Sequence, residues 1–265
     1  MSFQFTAQPV LFKLGGFTVY SWGLLNAIAV LVAFIFIYKN AKKHFSEKVI
    51  FEILASIIVF GMIFARLAYV LINLQDFSNI WDAFLISKGG MEGFGALIGG
   101  IFGAWIYSKF MKIDAWKFLD ISAPWLALAY AIGRIGCFVR GCCFGMPTEL
   151  PWGVVYNSGS LALNYVSGAI HPTQLYHSIA DFVIFLILFS IVRRKDRKIL
   201  KLKEKSGVIF LLFVILYSAE RILIDFVRWK SAADMTVLGI SVQQIAYLLI
   251  FAAAMVIIMR NRKKP

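Results

Sequence analysis

Long apolar runs separated by short polar segments dominate the chain. At a rise of about 1.5 Å per residue, each run can cross the hydrocarbon core of a bilayer as an α-helix. We expect no cleavable signal peptide, because the first run is too long for one and lacks a basic leader. The pattern therefore predicts an all-α, polytopic membrane protein with seven transmembrane helices, near residues 17–38, 51–72, 90–107, 117–138, 175–192, 208–227 and 241–259.

The composition supports the same class of protein. Hydrophobic residues make up 60% of the 265 residues, and charged residues only 15%. A chain this apolar needs lipid as its solvent. The sequence has no obvious internal repeat or soluble segment, so we expect residues 1–265 to form a single transmembrane domain.

The net charge of +13 would favour nucleic-acid binding in a water-soluble protein. Here 19 of the 27 Lys and Arg residues lie in the segments after the first, third and fifth runs and in the C-terminal tail, eight of them in 193–205. Short loops rich in Lys and Arg stay in the cytoplasm. We therefore expect an N-terminus outside, a cytoplasmic C-terminus, an extracytoplasmic loop at about 140–174 and no nucleic-acid partner. Adhesion to anionic headgroups is the other interpretation of the basic segment 193–205.

Three arginines lie inside apolar runs. Each lies six or seven residues before the point where its helix is expected to leave the membrane, which is roughly 10 Å of helix. The three arginines are Arg66, Arg134 and Arg221, and the expected exits are near Asn73, Arg140 and Arg228. An arginine in hydrocarbon costs at least ~2.5 kcal/mol unless it faces the bundle interior, a carboxylate or water. They could simply pair with carboxylates and link helices. Three at one depth instead favour a polar chamber for a phosphate, and a phospholipid headgroup supplies one there.

Other polar side chains gather near the same predicted level. Such groups in a membrane protein mark an internal site rather than a lipid-facing surface. They are Glu92, Asp181, Tyr217, Glu220 and Asp225.

Glycines recur at helical spacing in the third and fourth runs, which predicts close helix packing. The positions are Gly95, Gly99 and Gly103, followed by Gly133 and Gly136. Gly141 and Gly145 follow the fourth run, where they permit a tight turn.

The three cysteines, Cys137, Cys142 and Cys143, match no zinc spacing, so we expect no metal site. A disulfide from Cys137 to either of the others, a packing role, and a nucleophile activated by Arg134 or Arg140 are the alternatives. We expect the cysteines to be structural.

The segment "HPTQLY" starts the fifth run. Pro172 suits the first turn of a helix. His171 at that boundary is either an interfacial hydrogen-bonding residue or a proton carrier at the chamber mouth.

The motifs "GGMEGFGALIGG", "DISAP", "GRIGCFVRGCCFG", "HPTQLY" and "LYSAERILIDFVR" occur in that order, with "YSWGLL" and "ARLAYVL" before them. Together they resemble the bacterial prolipoprotein diacylglyceryl transferases over nearly the whole chain. The resemblance implies a cofactor-free, monomeric transferase of the bacterial cytoplasmic membrane. Its reaction moves the diacylglyceryl group of phosphatidylglycerol to the lipobox cysteine thiol of a prolipoprotein signal peptide and releases glycerol phosphate.

The resemblance also implies roles for individual residues. Arg134 and Arg221 fall on the two essential arginine positions of the family, and Tyr217 and Asp225 are expected to orient Arg221. The expected substrate-binding residues are Arg134, Arg66, Gly136, Gly145, His171 and Glu92.

The chain departs from the family at three positions. Phe94 stands where members carry a histidine that is thought to be the base, and Cys137 and Cys142 replace an asparagine and a glutamate. There are two interpretations. In the first, another residue is the base, and the candidates are Glu92, His171 and Asp225. In the second, the chain is a divergent relative that uses another acceptor or only binds phospholipid. A channel or transporter is disfavoured because the buried charges cluster at one face of the membrane.

Overall fold

The computed structural model describes residues 3–15, 17–74, 90–193, 206–230, 236–237 and 240–263. The basic segment 194–205 lies outside the described residues. The described chain is mostly helical. Its seven long helices are α1 (Ser21–Ala41), α2 (Glu47–Ile72), α3 (Gly93–Met111), α4 (Ala115–Arg140), α5 (Thr173–Arg193), α6 (Val208–Asp225) and α7 (Val242–Lys263).

The helices follow the predicted apolar runs closely. Six of the seven described helices are long and apolar enough to cross a membrane. The remaining one, α6, has 18 residues and carries Glu220, Arg221 and Asp225. The described chain thus confirms a mostly helical protein with six candidate membrane spans.

Short strands occupy several connections and were not predicted. β1 (Phe3–Phe5) pairs in parallel with β4 (Val154–Tyr156), and β2 (Val10–Leu14) pairs antiparallel with β3 (Phe17–Tyr20). The first apolar run therefore starts as a strand, and its helix begins only at Ser21. The third pair, β5 (Thr236–Val237) with β6 (Ile240–Ser241), leads into α7. Strands of two to five residues are too short to leave a clear alternating pattern.

A small apolar cluster beside the end of α4 joins these strands to the helices. Phe138, Phe144, Val154, Tyr156 and Ile170 pack together there. The Tyr156 hydroxyl donates to the Phe138 carbonyl at 3.1 Å, and burial raises the pKa of this phenol. The loop after α4 is thereby packed against the end of the bundle.

Helix α4 is the central helix, in contact with α1, α5 and α6. It ends at Gly141, whose φ of 73° is left-handed, as the sequence predicted for a tight turn. Asp120 of α4 accepts hydrogen bonds from Gly207 N and Phe210 N, at 2.7 and 2.8 Å, and so caps the start of α6. The Ser178 hydroxyl of α5 donates to the Ala131 carbonyl of α4 at 2.8 Å. These two contacts position α5 and α6 around α4.

The predicted close helix packing is present at both sets of glycines. At Gly103 of α3 an added methyl group would lie 2.6 Å from the Ser56 carbonyl of α2. At Gly136 of α4 it would lie 3.1 Å from Leu25 of α1. The bundle is therefore built from two closely packed pairs, α2 with α3 and α1 with α4.

Candidate active site

A polar cavity of about 190 Å³ lies where α3, α4, α5, α6 and α7 approach one another. Arginine, carboxylate, imidazole, amide and phenol groups all reach its wall. The lining residues are Met91, Glu92, Gly93, Arg134, Cys143, His177, Arg221, Asp225, Arg228, Gln243, Gln244 and Tyr247.

A second cavity, of about 410 Å³, adjoins the first but is mostly apolar. Gly93, Arg134 and Arg221 line both cavities. The other residues around the second cavity are Asn26, Ala29, Val30, Leu126, Ala129, Tyr130, Gly133 and Cys137. The two guanidinium groups therefore stand at the junction of a polar space and an apolar one.

Arg134 comes from the last two turns of α4. No described residue forms a hydrogen bond or ion pair with it. An arginine held inside a bundle without a carboxylate partner keeps all five donors available for an anion. This arrangement does not fit an arginine that only links helices.

Arg221 of α6 is held from several sides. Its Nη2 donates to the Tyr217 hydroxyl at 2.7 Å, and its guanidinium lies 5.0 Å from the ring centroid of Tyr217 and 5.8 Å from that of Tyr247. Glu220 Oε2 lies 3.9 Å from Arg221 Nε. Tyrosine rings and a hydrogen bond thus fix the direction of the guanidinium fork.

Asp225 lines the polar cavity, but its contacts in the described structure are with groups other than Arg221. Its carboxylate lies 3.1 Å from Lys230 Nζ and 3.6 Å from Arg228 Nη1, and it accepts a hydrogen bond from Ser241 at 2.8 Å. The carboxylate beside Arg221 is Glu220. Of the two groups expected to orient Arg221, Tyr217 contacts it directly and Asp225 joins α6 to the start of α7.

His177, which was not among the expected site residues, lines the polar cavity from α5. His177 Nδ1 is hydrogen-bonded to Glu220 Oε1 of α6, and both side chains are about 95% buried, at 4% and 5% exposure. Two features of the sequence could have indicated this pair. His177 directly follows the "HPTQLY" motif, and Glu220 directly precedes Arg221. The pairing needs α5 to lie against α6, which the sequence does not reveal.

The other expected site residues are distributed around the cavities. Glu92 lines the polar cavity at the start of α3. Arg66 donates from Nη1 to the Gly90 carbonyl at 3.1 Å and lines neither cavity. Arg66 and Arg134 lie six residues from the ends of α2 and α4, whereas Arg221 lies four residues from the end of α6. Measured along each helix from its end, these distances are about 9 Å and 6 Å. The common depth of the three arginines in the membrane stays a prediction.

Gly136, Gly145 and His171 support the site from outside the cavities. Gly145 N donates to the His171 carbonyl at 3.0 Å, and an added methyl group would lie 2.7 Å from the Val227 carbonyl. His171 Nδ1 lies 3.1 Å from the Tyr176 hydroxyl, and burial lowers the pKa of His171. Gly145 therefore brings the start of α5 and the segment after α6 together.

Two buried side chains of the "HPTQLY" motif hold the loop that follows α4. Thr173 donates to the Cys143 carbonyl at 2.7 Å, and Gln174 donates to the Cys142 carbonyl at 2.6 Å. Both side chains are fully buried at the start of α5. The motif therefore has a positioning role that the sequence analysis did not assign.

The three cysteines are free, and their Sγ atoms lie within 4.8 Å of one another. Hydrogen bonds from the Cys137 and Cys142 thiols hold the pKa of Cys143 well below its usual range, while the same contacts raise the pKa of Cys142. Three thiols are ligands that a soft metal ion accepts, so the fold forms a cluster that the sequence spacing did not suggest. The expectation that no metal binds here stays a prediction.

Comparisons with known proteins identify the family to which the chain is related. Residues 9–260 match the family described as prolipoprotein diacylglyceryl transferase. A phosphatidylglycerol–prolipoprotein diacylglyceryl transferase of Clostridium tetani is 37% identical over 238 residues, which cover 88% of this chain and 90% of the relative. Enzymes of the same name from Dehalococcoides mccartyi and Synechocystis are 32% and 33% identical, covering 99% and 84% of this chain and 97% and 79% of those relatives.

The match extends over nearly all of the helical bundle, from the residue before β2 to within α7. It includes every helix that contributes a side chain to the two cavities. The chain therefore belongs to the prolipoprotein diacylglyceryl transferase family.

Proposed function

We propose that this chain transfers the diacylglyceryl group of phosphatidylglycerol to the lipobox cysteine thiol of prolipoproteins. Glycerol phosphate leaves, and a thioether remains on the acceptor. The names of the relatives give the donor lipid, the transferred group and the prolipoprotein acceptor. The acceptor thiol, the glycerol phosphate product and a reaction without a cofactor are parts of this proposal. The substrates are a membrane lipid and a membrane-bound signal peptide, so the reaction takes place within the bilayer.

The observation that supports this function is the position of Arg134 and Arg221 between two unlike cavities. A phospholipid has an anionic headgroup joined to apolar chains, and it therefore needs cations at the junction of a polar and an apolar space. Arg134, with no ion-pair partner in the described chain, has its planar fork available for two phosphate oxygens.

The same arginines serve the chemistry. When the bond from the glycerol carbon to the phosphate oxygen breaks, the leaving group gains one negative charge. Cationic donors held in place before the reaction stabilise that charge, and removal of one such donor typically costs about 10²–10³ in rate. Tyr217 and the ring of Tyr247 keep Arg221 in position for this role.

We propose seven crossings, with the N-terminus outside and the C-terminus in the cytoplasm of a bacterial cytoplasmic membrane. By composition alone, α6 does not qualify as a membrane span, because it carries the charged residues Glu220, Arg221 and Asp225. Its buried side chains include Tyr217, Glu220 and Asp225, which turn towards neighbouring helices rather than lipid. A helix with this distribution can cross a bilayer as part of a single domain, residues 1–265, that acts as a monomer.

A direct test uses purified protein in phosphatidylglycerol micelles with a synthetic lipobox peptide. We expect release of glycerol phosphate and a peptide mass increased by one diacylglyceryl group. Arg134→Lys should lower turnover by at least about 10²-fold, since an ammonium lacks the fork. Arg140→Lys, on the same helix but outside both cavities, is the matched control and should keep full activity.

The result also separates the alternatives. If phospholipid is recovered unchanged with the protein and no glycerol phosphate is released, the chain is a lipid-binding protein. Glycerol phosphate release without peptide modification would indicate another acceptor. Full activity in Arg134→Lys would refute the phosphate role of this arginine.

A further inference from the structure

His177 and Glu220 form a buried pair at the wall of the polar cavity. They come from different helices, α5 and α6, and their side chains meet through His177 Nδ1 and Glu220 Oε1. His177 lines the cavity, whereas Glu220 does not. The imidazole thus stands between the carboxylate and the space that Arg134 and Arg221 share.

The hydrogen bond at Nδ1 decides which ring nitrogen faces the cavity as a base. When an ionised carboxylate accepts the proton of Nδ1–H, the neutral imidazole carries its lone pair on Nε2. No described residue hydrogen-bonds Nε2. A carboxylate behind an imidazole also stabilises the imidazolium that forms after proton transfer.

We propose that His177 is the general base that deprotonates the acceptor thiol and that Glu220 is its positioning residue. The proposal rests on the transferase function above. Phe94 of α3 cannot accept a proton, and its ring packs edge-on against Tyr247 at 6.4 Å. His177 of α5 is the imidazole that lines the polar cavity.

The candidates raised from sequence are less suited to this role. Asp225 already pairs with Lys230 and Arg228 and accepts a hydrogen bond from Ser241. His171 lines neither cavity. Glu92 lines the polar cavity, and its substitution is one arm of the test below.

The proposed reaction moves one proton and exchanges one bond at the glycerol carbon. The thiol proton moves to His177 Nε2, and the thiolate sulfur forms a bond to the glycerol carbon that carries the phosphate. The carbon–oxygen bond breaks, and its electron pair stays on the phosphate oxygen. Arg134 and Arg221 stabilise the added charge. The proton then passes from His177 to the leaving glycerol phosphate, which restores the neutral imidazole.

The test compares two acceptor peptides that differ in one atom. A cysteine peptide needs a base at neutral pH, whereas a selenocysteine peptide presents a selenol that is already ionised. We expect His177→Gln to slow transfer to the cysteine peptide by about 10²–10⁴-fold while the selenocysteine peptide is modified at close to the wild-type rate. His44→Gln, in an exposed loop, is the matched control.

A second variant covers the case in which His177→Gln does not fold. Glu220→Gln keeps the size of the side chain and should slow the cysteine reaction by at least about 10-fold, with the KM for phosphatidylglycerol unchanged. The defect of either variant should shrink as pH rises through the thiol range, near 8.5, because free thiolate becomes abundant. Several titratable or charged groups line the same cavity or interact electrostatically with the pair. They are Glu92, Arg134, Cys143, Asp181, Arg221, Asp225, Arg228 and Tyr247.

Three outcomes would overturn the proposal. In the first, His177→Gln transfers to the cysteine peptide within about 3-fold of the wild type. In the second, the loss is equal for both peptides although the variant retains phosphatidylglycerol, which indicates a structural role. In the third, Glu92→Gln shows the selenocysteine rescue and His177→Gln does not. Wild-type protein that releases no glycerol phosphate would instead refute the proposed function itself.

Discussion

The α2–α3 pair and the α4–α5–α6 group are built in opposite ways. Between α2 and α3, glycines bring the backbones together, so that a methyl group added at Gly99 would overlap the Phe60 carbonyl. Between α4, α5 and α6, polar side chains meet, including the partly buried Asp120 and the buried His177 and Glu220. The first interface leaves little space, and the second leaves two cavities.

The difference shows that, within one bundle, one interface can contribute mainly to stability and another mainly to the chemistry of the site. In lipid, apolar side chains gain little from burial against one another, so close backbone packing holds helices together. Polar contacts in the same environment tolerate few alternative arrangements, because an unpaired group there is costly. The α2–α3 pair therefore stabilises the bundle, and the α4–α5–α6 group orients functional side chains.

Arg221→Lys should have the largest effect, and this effect should be on activity rather than on stability. Lysine keeps the charge but loses the fork and the planar stacking on Tyr217 and Tyr247. We expect turnover to fall by about 10³-fold, or ~4 kcal/mol, with the melting temperature changed little. Glycerol phosphate release measures the effect. Arg193→Lys, at the far end of α5, is the control, and equal losses in both variants would contradict a specific role.

Gly99→Ala should act on stability first. The new methyl group overlaps the Phe60 carbonyl, so α2 and α3 must separate, at a cost of roughly 2 kcal/mol. Circular dichroism during heating in detergent measures the midpoint of unfolding. Gly100→Ala is the control, because its methyl group would meet Ile57 at an ordinary 3.4 Å. An unchanged Gly99→Ala midpoint would mean that the interface yields easily.

Tyr217→Phe should lower activity by about 5- to 10-fold, because it removes a single hydrogen bond to Arg221 but keeps the ring, a loss of about 1 kcal/mol. Tyr107→Phe removes a similar bond, to Glu52 at 2.7 Å across the α2–α3 interface. That variant should lose stability without losing turnover. The comparison fails if both variants lose activity equally.

Asp120→Ala should have the smallest effect, of about 1 kcal/mol on stability. It removes the acceptor for Gly207 N and Phe210 N at the start of α6. Asp120→Asn retains one acceptor oxygen and should lie between the alanine variant and the wild type in the thermal assay. An alanine variant as stable as the wild type would mean that water replaces the cap.

The helices were predictable because a bilayer imposes a strong and local requirement. About twenty apolar residues in a row have few structures available in lipid, so six described helices are recognisable from composition alone. The exceptions are informative. Residues 17–20 form β3 because the strand partner at Val10–Leu14 lies close in sequence, and α6 carries charges that only its neighbours explain.

The candidate site was predictable only in part. Arg134 and Arg221 were conspicuous as charges inside apolar runs, and the structure brings them to the same two cavities. Arg66 was equally conspicuous, yet it binds the Gly90 carbonyl away from those cavities. His177 attracted no attention, because a histidine near a helix start is ordinary until the facing helix supplies Glu220.

The sequence by itself determined the class of protein, the approximate bounds of the seven long helices in the described residues, and which buried charges need an explanation. Those properties depend on each segment and its solvent. Only the tertiary structure decided which charges meet, because contacts between α4, α5 and α6 depend on the rotation of each helix about its axis. A rotation of one residue, about 100°, would turn His177 away from Glu220 without changing the hydropathy of either helix.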